Sequence, residues 1–450
     1  MKYDVIVIGA GPAGKKSSGI FAKAGKKVCL VEQNENHVGG TCLNEGCIPA
    51  KLYLESVSYL EKREYLKSCG LESMGLSFNI ETLREKKCSL INQMRKGATQ
   101  SITKSGIDLV FGKASFVDLK SIKVGSKIFQ ADKFIIATGS LSKEHPVLQI
   151  DKKSIITSNE VFELKKIPSS IVIVGGGAIG CEFATFFNAL GSSVHIVEFT
   201  SSLLPAEDKD VSDTIKREFT KKGIKITLNG NISGYTKSCE KIVLDIETKK
   251  GLIKEESELV LVSIGRSPNT EGLSLEKASV KTQKGFIKVD DFLRTTNSNI
   301  FAIGDVIPTA ALAHVAYNEA KVAAHNILSN SKEKPSQIIP FVTFSSPQVA
   351  SIGAREKELR EKNIEYKATK GFFKSNAKAK IKGFDGGFVK ILSDNSTGVI
   401  IGGAMVGNDT TELIHILLVA INAKQTIDEL KDMIFAHPTL SEALWESLNH

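Results

Sequence analysis

Nowhere along its 450 residues does the chain hold an apolar run close to the roughly 20 residues that a membrane-spanning helix needs. Its longest, such as "IVIVGGGAIG", falls well short, so no transmembrane span is expected. It also lacks a low-complexity tract. With 42% hydrophobic and 24% charged residues, its composition is that of a folded globular protein. It opens on the strand-like "MKYDVIVIGAG" with no basic, apolar and cleavable leader, so the cytoplasm is the expected compartment. Lys plus Arg number 59 against 50 for Asp plus Glu, a formal charge of +9, with lysines gathered between Lys357 and Lys382. Such a stretch is ordinarily a solvated face, and the alternative is a surface that attracts an acidic partner. No nucleic-acid-binding motif accompanies it, so nucleic acid is not an expected partner.

Cysteine is scarce and odd in number: Cys29, Cys42, Cys47, Cys69, Cys88, Cys181 and Cys239 make seven. Scattered single cysteines in a cytosolic chain are usually inert buried thiols. Only Cys42 and Cys47 stand close, in "GGTCLNEGCIPAK". A zinc site needs four ligands, and neither a second cysteine pair nor a suitable histidine cluster lies nearby, so no metal is expected. A structural bridge is disfavoured in the cytosol. Redox chemistry is the stronger reading. Cys47 precedes a helix-compatible "AKLYLESVSYLEKR", and a helix N-terminus with Lys51 nearby favours the thiolate, which is the nucleophile of disulfide exchange.

What the chain does have, it has twice. "YDVIVIGAGPAG" is an apolar strand followed by Gly9, Gly11 and Gly14, and "KKVCLVE" is a second strand ending in Glu32. In a dinucleotide-binding turn the first glycine permits the bend, the second lets backbone approach a pyrophosphate, and the third lets helix pack on strand. The acid accepts hydrogen bonds from a ribose. "SSIVIVGGGAIG" repeats the pattern with Gly175, Gly177 and Gly180, and "GSSVHIVE" ends in Glu198. First glycine and acid are 23 positions apart in both copies. Two dinucleotides are expected. Glu198 favours a free 2′-hydroxyl, and the "FTSS" after it holds no arginine for a 2′-phosphate, so NAD is expected over NADP. In the first copy the helix begins "KKSSGIFAKAG", where small apolar residues are usual. Lys15, Lys16, Ser17 and Ser18 are expected to cap, snorkel or face solvent, and Gly19 costs ~1 kcal/mol against Ala.

The segment 39–51 resembles the active-site stretch of the pyridine nucleotide-disulfide oxidoreductases, G-G-T-C-x-N-x-G-C-x-P-x-K. Gly39, Gly40, Thr41, Cys42, Asn44, Gly46, Cys47, Pro49 and Lys51 all fit it. The resemblance runs nearly the length of the chain. "IIATGS" (135–140) and "SIGRSPNT" (263–270) look like the turns where the chain leaves the flavin and nicotinamide domains. "IFAIGDV" (300–306), followed by "ALAHVAYNEA", resembles the second flavin fingerprint, and "FAHPTLSEAL" the C-terminal active-site motif. The implied fold is α/β, with two nested Rossmann-like dinucleotide-binding domains, for FAD and NAD, and a C-terminal α+β dimerisation domain. Its expected limits are a flavin domain over 1–145, a nicotinamide domain over 146–270, a central segment completing the flavin site over 271–335, and the dimerisation domain over 336–450.

The resemblance also assigns roles. It makes Cys42 the interchange thiol facing substrate and Cys47 the thiol nearest the flavin, able to form a charge-transfer complex with it. It brings Gly9, Gly11, Gly14, Glu32, Thr41, Lys51, Gly112, Thr138, Gly139, Ser140, Asp305, Ala313 and His314 to FAD, with Asp305 on the ribityl chain and Ala313 and His314 by the isoalloxazine. Gly175, Gly177, Gly180, Glu182, Glu198 and Gly265 go to NAD, with Glu182 paired to Lys51 beside the flavin. His437 and Glu442 become the acid-base pair that moves thiol protons, a task suited to histidine, whose unperturbed pKa of about 6.5 lies near neutrality. They serve the neighbouring subunit's cysteines, which implies a homodimer with a shared active site. The plainer reading of Glu442 is a T-x-x-E capping box begun by Thr439. Asp305 after Gly304 also reads as a turn, and Glu182 as a solvated charge in the first turn of a helix.

Within the family, "HPTLSE" together with Glu198 resembles the members that oxidise protein-bound dihydrolipoyl groups with NAD, on the lipoyl-bearing carrier or acyltransferase of a 2-oxoacid dehydrogenase or glycine-cleavage system. Glutathione-type reductases prefer NADP and would show arginines after the second acid. Mercuric reductases would add a cysteine pair where none follows Cys239, and soluble transhydrogenases lack the redox pair. A reductase of another low-molecular-weight disulfide is the alternative within the family, and a non-catalytic flavoprotein scaffold the alternative outside it. Departures from the family pattern are Ser345 and Gln348 in "SSPQVASIG", the stretch "NAKAK", and Ala320 where glycine is usual.

Overall fold

The computed structural model describes residues 1–71, 77–238 and 241–449, so Cys239 lies outside the described residues. The chain divides into two compact units. One comprises Met1–Ala50, Thr82–Lys143 and Arg266–Ser336, the other Lys51–Glu81, Glu144–Gly265 and Gln337–His450.

In the first unit a parallel sheet runs in the order Asp108–Phe111, Val28–Glu32, Lys2–Ile8, Lys127–Ile136, with Ile300–Ala302 also paired to the last strand. Its register sets Val7 opposite both Leu30 and Ile135. The strands "KYDVIVI" and "VCLVE" are buried along nearly their whole length because helices cover the sheet, which is why they read as continuous apolar runs without alternation. The helices Pro12–Lys23 and Ala313–Ser329 pack against each other. Here the unusual serines find their reason. Ser17 and Ser18 are fully buried and donate to the carbonyls of Gly14 and Lys15, each at 3.1 Å, while Lys16 faces solvent. They cap no helix end and do not face solvent as expected. Their small, internally satisfied side chains let the second helix come close, and its Ala320 is likewise fully buried.

The second unit repeats the parallel arrangement in the order Lys225–Leu228, Ser193–Glu198, Ser170–Val174, Leu259–Val262, Ile155–Ile156. An antiparallel three-stranded sheet follows, Asn231–Lys237, Ile242–Thr248 and Gly251–Ser257. The chain then builds a five-stranded antiparallel sheet, ordered Pro340–Thr343, Gln348–Gly353, Ile400–Gly407, Phe388–Asp394, Tyr366–Phe372, on which the helices Thr410–Asn422 and Glu442–Ser447 pack. The fold is therefore α/β, with two dinucleotide-binding sheets and a C-terminal α+β region. Of the departures from family pattern, Gln348 accepts from the Thr411 hydroxyl at 3.0 Å and Ser345 donates to the Pro347 carbonyl at 2.7 Å.

A buried ion cluster joins the start of the helix Lys209–Lys221 to the five-stranded antiparallel sheet of this unit. Lys390, only 2% exposed, reaches Asp208 at 2.8 Å and both Asp210 and Glu356 at 2.9 Å. Burial alone would lower the ammonium's pKa, but the three carboxylates override it and hold it above the ordinary range. Burial likewise pulls the Asp210 and Glu356 carboxyls up, and their bonds to Lys370 and Lys390 (Asp210) and to Lys390 (Glu356) prevail, leaving both below the ordinary range.

Candidate functional site

The two glycine turns have the same geometry. Gly9 takes φ +102° and Gly175 φ +110°, and a Cβ there would fall 2.3 Å from the Ala137 carbonyl oxygen or 2.5 Å from that of Ser263. At Gly14 and Gly180 a Cβ would strike the carbonyl oxygen of the first glycine at 1.8 and 2.0 Å, so only glycine lets helix meet strand this closely. The middle glycines differ. Nothing lies within 4 Å of a Cβ on Gly177, and at Gly11 only the Gly40 Cα does, at 3.8 Å. Each middle glycine precedes a helix whose start has no side-chain cap, which leaves that end of the helix dipole without a side-chain partner. This cradle fits a pyrophosphate in both copies.

Each acid is held by the turn it completes. The Ala10 N–H donates to Glu32 Oε2 at 2.8 Å, and the Gly176 N–H to Glu198 Oε2 at 2.6 Å. Both carboxylates are 7% exposed, and Thr200 N–H adds a bond to Glu198 Oε1 at 2.6 Å. The acid is thus a staple of the turn as well as an acceptor, with lone pairs left for ribose hydroxyls.

The cysteine segment rests on the first turn. Gly39 N–H donates to the Ala10 carbonyl at 2.9 Å, and a Cβ on Gly40 would come within 2.7 Å of the Gly11 Cα. Cys42, half-buried, lies in the short helix Gly40–Asn44, while Cys47, exposed, is the first residue of the helix Cys47–Glu61. That helix starts earlier than "AKLYL" indicates because Pro49 sits in its first turn, where a missing N–H costs nothing. A Cβ on Gly46 would lie 3.3 Å from the Cys42 Cα, so the chain folds back and brings the two cysteines close.

Asn44 is the hub of this segment. Its amide donates to the Gly40 carbonyl at 2.8 Å and the Val38 carbonyl at 3.3 Å, and its Oδ1 accepts from Arg95 Nε at 3.0 Å. No local pattern marks Arg95, which comes from the helix Ile80–Lys104. On the helix Ala313–Ser329, His314 and Tyr317 occupy one exposed face, one turn apart. Burial raises the Tyr317 phenol, and the charges of Cys42 and Cys47 raise it further. On the same helix Glu319, 1% exposed, accepts from the Gly304 N–H at 2.6 Å and so fixes the turn that carries Asp305.

Asp305 is bound to the strand ends that leave the sheet. Ser140 Oγ donates to Asp305 Oδ2 at 2.7 Å, and Arg266 donates to both the hydroxyl and the carbonyl of Ser140, each at 2.7 Å. Thr138 Oγ1 donates to the Asn269 carbonyl at 2.7 Å. Gly139, at φ +69°, Gly265, at φ +109°, and Gly112, at φ +140°, all lie at positive φ. Arg266, inside a stretch already singled out, escaped notice because its partner is distant in sequence.

In the second unit Lys51 Nζ lies 2.9 Å from both oxygens of Glu182, a carboxylate buried in the helix Ala178–Ala189 and so not the solvated charge of the plainer reading. Glu182 Oε1 also accepts from the Phe344 N–H at 3.0 Å, and the Lys51 ammonium sits 4.6 Å from the Phe344 ring centroid. At the chain's end, His437 Nδ1 is 2.8 Å from Glu442 Oε1, while Glu442 Oε2 accepts from the Thr439 N–H at 2.7 Å. Only half of the expected capping box forms: Glu442 reaches back to the Thr439 N–H, but the Thr439 hydroxyl engages the Ala436 carbonyl and the Ser441 hydroxyl instead, and the helix Glu442–Ser447 starts after Ser441 without a side-chain cap. One oxygen of Glu442 thus serves the Thr439 N–H and the other His437. The Thr439 N–H first, and His437 second, hold this carboxyl below the ordinary range. Cys42 and Asp305 belong to the first unit, Lys51, Glu182, His437 and Glu442 to the second.

Comparison with known proteins agrees with this geometry. The signature described as pyridine nucleotide-disulphide oxidoreductase matches residues 3–320, and that of its dimerisation domain residues 339–448. A dihydrolipoyl dehydrogenase of Chlamydia trachomatis is 35% identical over 99% of this chain and 96% of its own. One of Bacillus subtilis is 35% identical over 98% of this chain and 97% of its own. Among solved structures, LpdA from Mycobacterium tuberculosis superposes with a TM-score of 0.91 at 25% identity, covering 99% of both chains. The HOCl-induced flavoprotein disulfide reductase RclA from Escherichia coli does so with 0.89 at 27%, covering 99% of both.

Proposed function

The chain belongs to the pyridine nucleotide-disulphide oxidoreductase family, and on that premise we propose how it works as a dihydrolipoyl dehydrogenase, an enzyme using FAD and NAD to oxidise protein-bound dihydrolipoyl groups. The observation that carries the reading is the adjacent cysteine pair seated on a glycine turn that fits a dinucleotide.

In the oxidised enzyme Cys42 and Cys47 share a disulfide. One thiol of the dihydrolipoyl group attacks Cys42 Sγ; the Cys42–Cys47 bond breaks and Cys47 leaves as a thiolate. The thiol proton passes to His437 Nε2, the ring nitrogen that Glu442 does not engage. Glu442 orients the ring and stabilises its charged form. The second substrate thiol then attacks the substrate sulfur bound to Cys42, closing the lipoyl disulfide, and its proton passes to the departing Cys42 sulfur, which is released as the thiol. Bound FAD would supply a two-electron acceptor for the reduced cysteine pair, and bound NAD a hydride acceptor for the flavin. Gly9, Gly11, Gly14 and Glu32 would hold the FAD pyrophosphate and ribose, and Thr41, Gly112, Thr138, Gly139, Ser140, Asp305, Ala313 and His314 would complete that site. Gly175, Gly177, Gly180, Glu198 and Gly265 would hold NAD. The Lys51–Glu182 pair keeps a cation fixed against the Phe344 ring, a preorganised charge for the flavin edge.

The dimerisation domain makes the protein a homodimer, and in this reading His437 and Glu442 serve the partner subunit's cysteines. The unit breaks after Lys143, Gly265 and Ser336 support domain limits near 145, 270 and 335. Among the described residues no helix is long and apolar enough to cross a membrane. The proposed site of action is the cytoplasm, and the proposed partner a lipoyl carrier of a 2-oxoacid dehydrogenase or glycine-cleavage system. The test is Cys47→Ser: a yellow, folded dimer that no longer reduces NAD with dihydrolipoamide is expected, and full turnover in that variant would refute the thiol relay.

A further inference from the structure

The lysines of "FFKSNAKAKIK" (372–382) take no part in the chemistry above, yet their segment is tied to the loop that carries His437. Asn376, 1% exposed, caps the short helix Ala377–Ile381 by accepting from the Ala379 N–H at 3.0 Å. Its amide donates in turn to the Thr439 carbonyl, also at 3.0 Å, two residues from His437. A second basic helix, Arg63–Ser68, joins this surface through the Tyr65 hydroxyl, which donates to the Ile381 carbonyl. Lys62, Lys67, Lys374, Lys378 and Lys380 have no acidic partner among the described residues, whereas the neighbouring Lys382 is paired with Asp409. The acids nearby in sequence or contact are Glu61, Glu64, Asp385, Asp409 and Glu446, of which Glu61 is paired with Lys222 and Asp409 with Lys382, so three acids stand against the five lysines. Phe372 and Ile381, 55% and 56% exposed, add apolar area among these charges.

We propose that this basic shelf docks the acidic protein domain that bears the dihydrolipoyl group, so that its dithiol is delivered beside His437. The inference rests on the dihydrolipoyl reading above and names its partner's chemistry. The reactive end of a dihydrolipoyl arm is uncharged and gives five lysines nothing to pair with; an acidic carrier does. Lysine, a hydrated point charge on a flexible stem, attracts such a partner over a Debye length of roughly 8 Å without the fixed geometry that arginine imposes. Rim charges of this kind speed encounter without slowing departure, which suits a carrier that must leave after every turnover.

The test compares a triple variant, Lys374→Gln with Lys378→Gln and Lys380→Gln, against the matching triple arginine variant. The probes are a recombinant lipoylated domain of net negative charge and free dihydrolipoamide. At low salt the Kd and the KM for the carrier domain are expected to rise about tenfold in the glutamine variant and to return in the arginine variant. The kcat and KM for free dihydrolipoamide stay unchanged in both. Unaltered carrier Kd in the glutamine variant, or tighter binding of an anionic phospholipid vesicle or an oligonucleotide than of the carrier domain, overturns the docking proposal. Failure of the unaltered enzyme to oxidise free dihydrolipoamide would instead overturn the activity, and the Kd measurement, which needs no turnover, still decides the docking.

Discussion

Replacing Lys390 by methionine keeps most of the side chain's volume and removes the one cation that three carboxylates share. Asp208, Asp210 and Glu356 all lie within 2.9 Å of its ammonium. Lys370 would still reach Asp210, at 2.8 Å, and Arg360 would still reach Glu356, so the loss falls most heavily on Asp208, which is 6% exposed. Breaking a buried ion pair by removing one partner costs about 3–5 kcal/mol, because the remaining charge stays buried. At roughly 2–4 °C per kcal/mol in domains of 150–250 residues, thermal unfolding of the second unit should fall by ~6–20 °C. The sign with pH is fixed as well. In the native protein the Asp210 and Glu356 carboxyls are lowered, so their contribution is present above the ordinary carboxylate range, near 4, and is lost as pH falls through their folded values. In the variant the crowded carboxylates gain by taking up protons, so its deficit should be largest at neutral pH and shrink towards pH 4. Differential scanning calorimetry at pH 7 and pH 4.5 reads both effects. A fall under ~2 °C at pH 7, or a deficit that grows on acidification, would refute the electrostatic account.

Glu198→Ala should weaken NAD more than FAD, measured by cofactor titration, and should also lower unfolding temperature, since the carboxylate secures the Gly176 and Thr200 N–H groups. An unchanged NAD affinity would discard the ribose assignment. In Glu442→Gln the amide oxygen can still accept from Thr439, while the charge facing His437 is lost. We expect kcat with dihydrolipoamide to fall by ~10–100-fold with helical circular dichroism intact, and a fall no larger than twofold would leave Glu442 a cap alone. Arg95→Leu removes the side chain that braces Asn44, so Cys42 should be alkylated faster in the reduced enzyme while the absorbance of bound flavin persists. Equal alkylation rates would remove Arg95 from the positioning of the cysteines.

Local chemistry was legible wherever its cause was local. The positive φ of Gly9 and Gly175, the strand that precedes each and the acid that follows are set by neighbours in the chain, so both turns could be placed from spacing. Ser17 and Ser18 misled because their fate depends on a helix some three hundred residues away, which needs small side chains in order to approach. Arg95 and Phe344 carry no local signal, and Arg266 and Glu319 lie in stretches the sequence marks without marking them. Each becomes part of the site by touching Asn44, Ser140, Gly304 or Glu182 across the fold.

By itself, then, the sequence determined the two dinucleotide turns, the redox pair and the kind of chemistry, because glycine spacing, the acid that follows it and the reactivity of paired thiols belong to short segments. The tertiary structure alone decided how those groups are held: which carbonyl and carboxylate each donor reaches, that Glu442 serves His437 and the Thr439 N–H at once, and that one buried lysine gathers three acids. Such partners are chosen by packing, where a buried polar group must find its complement at whatever distance along the chain the complement lies.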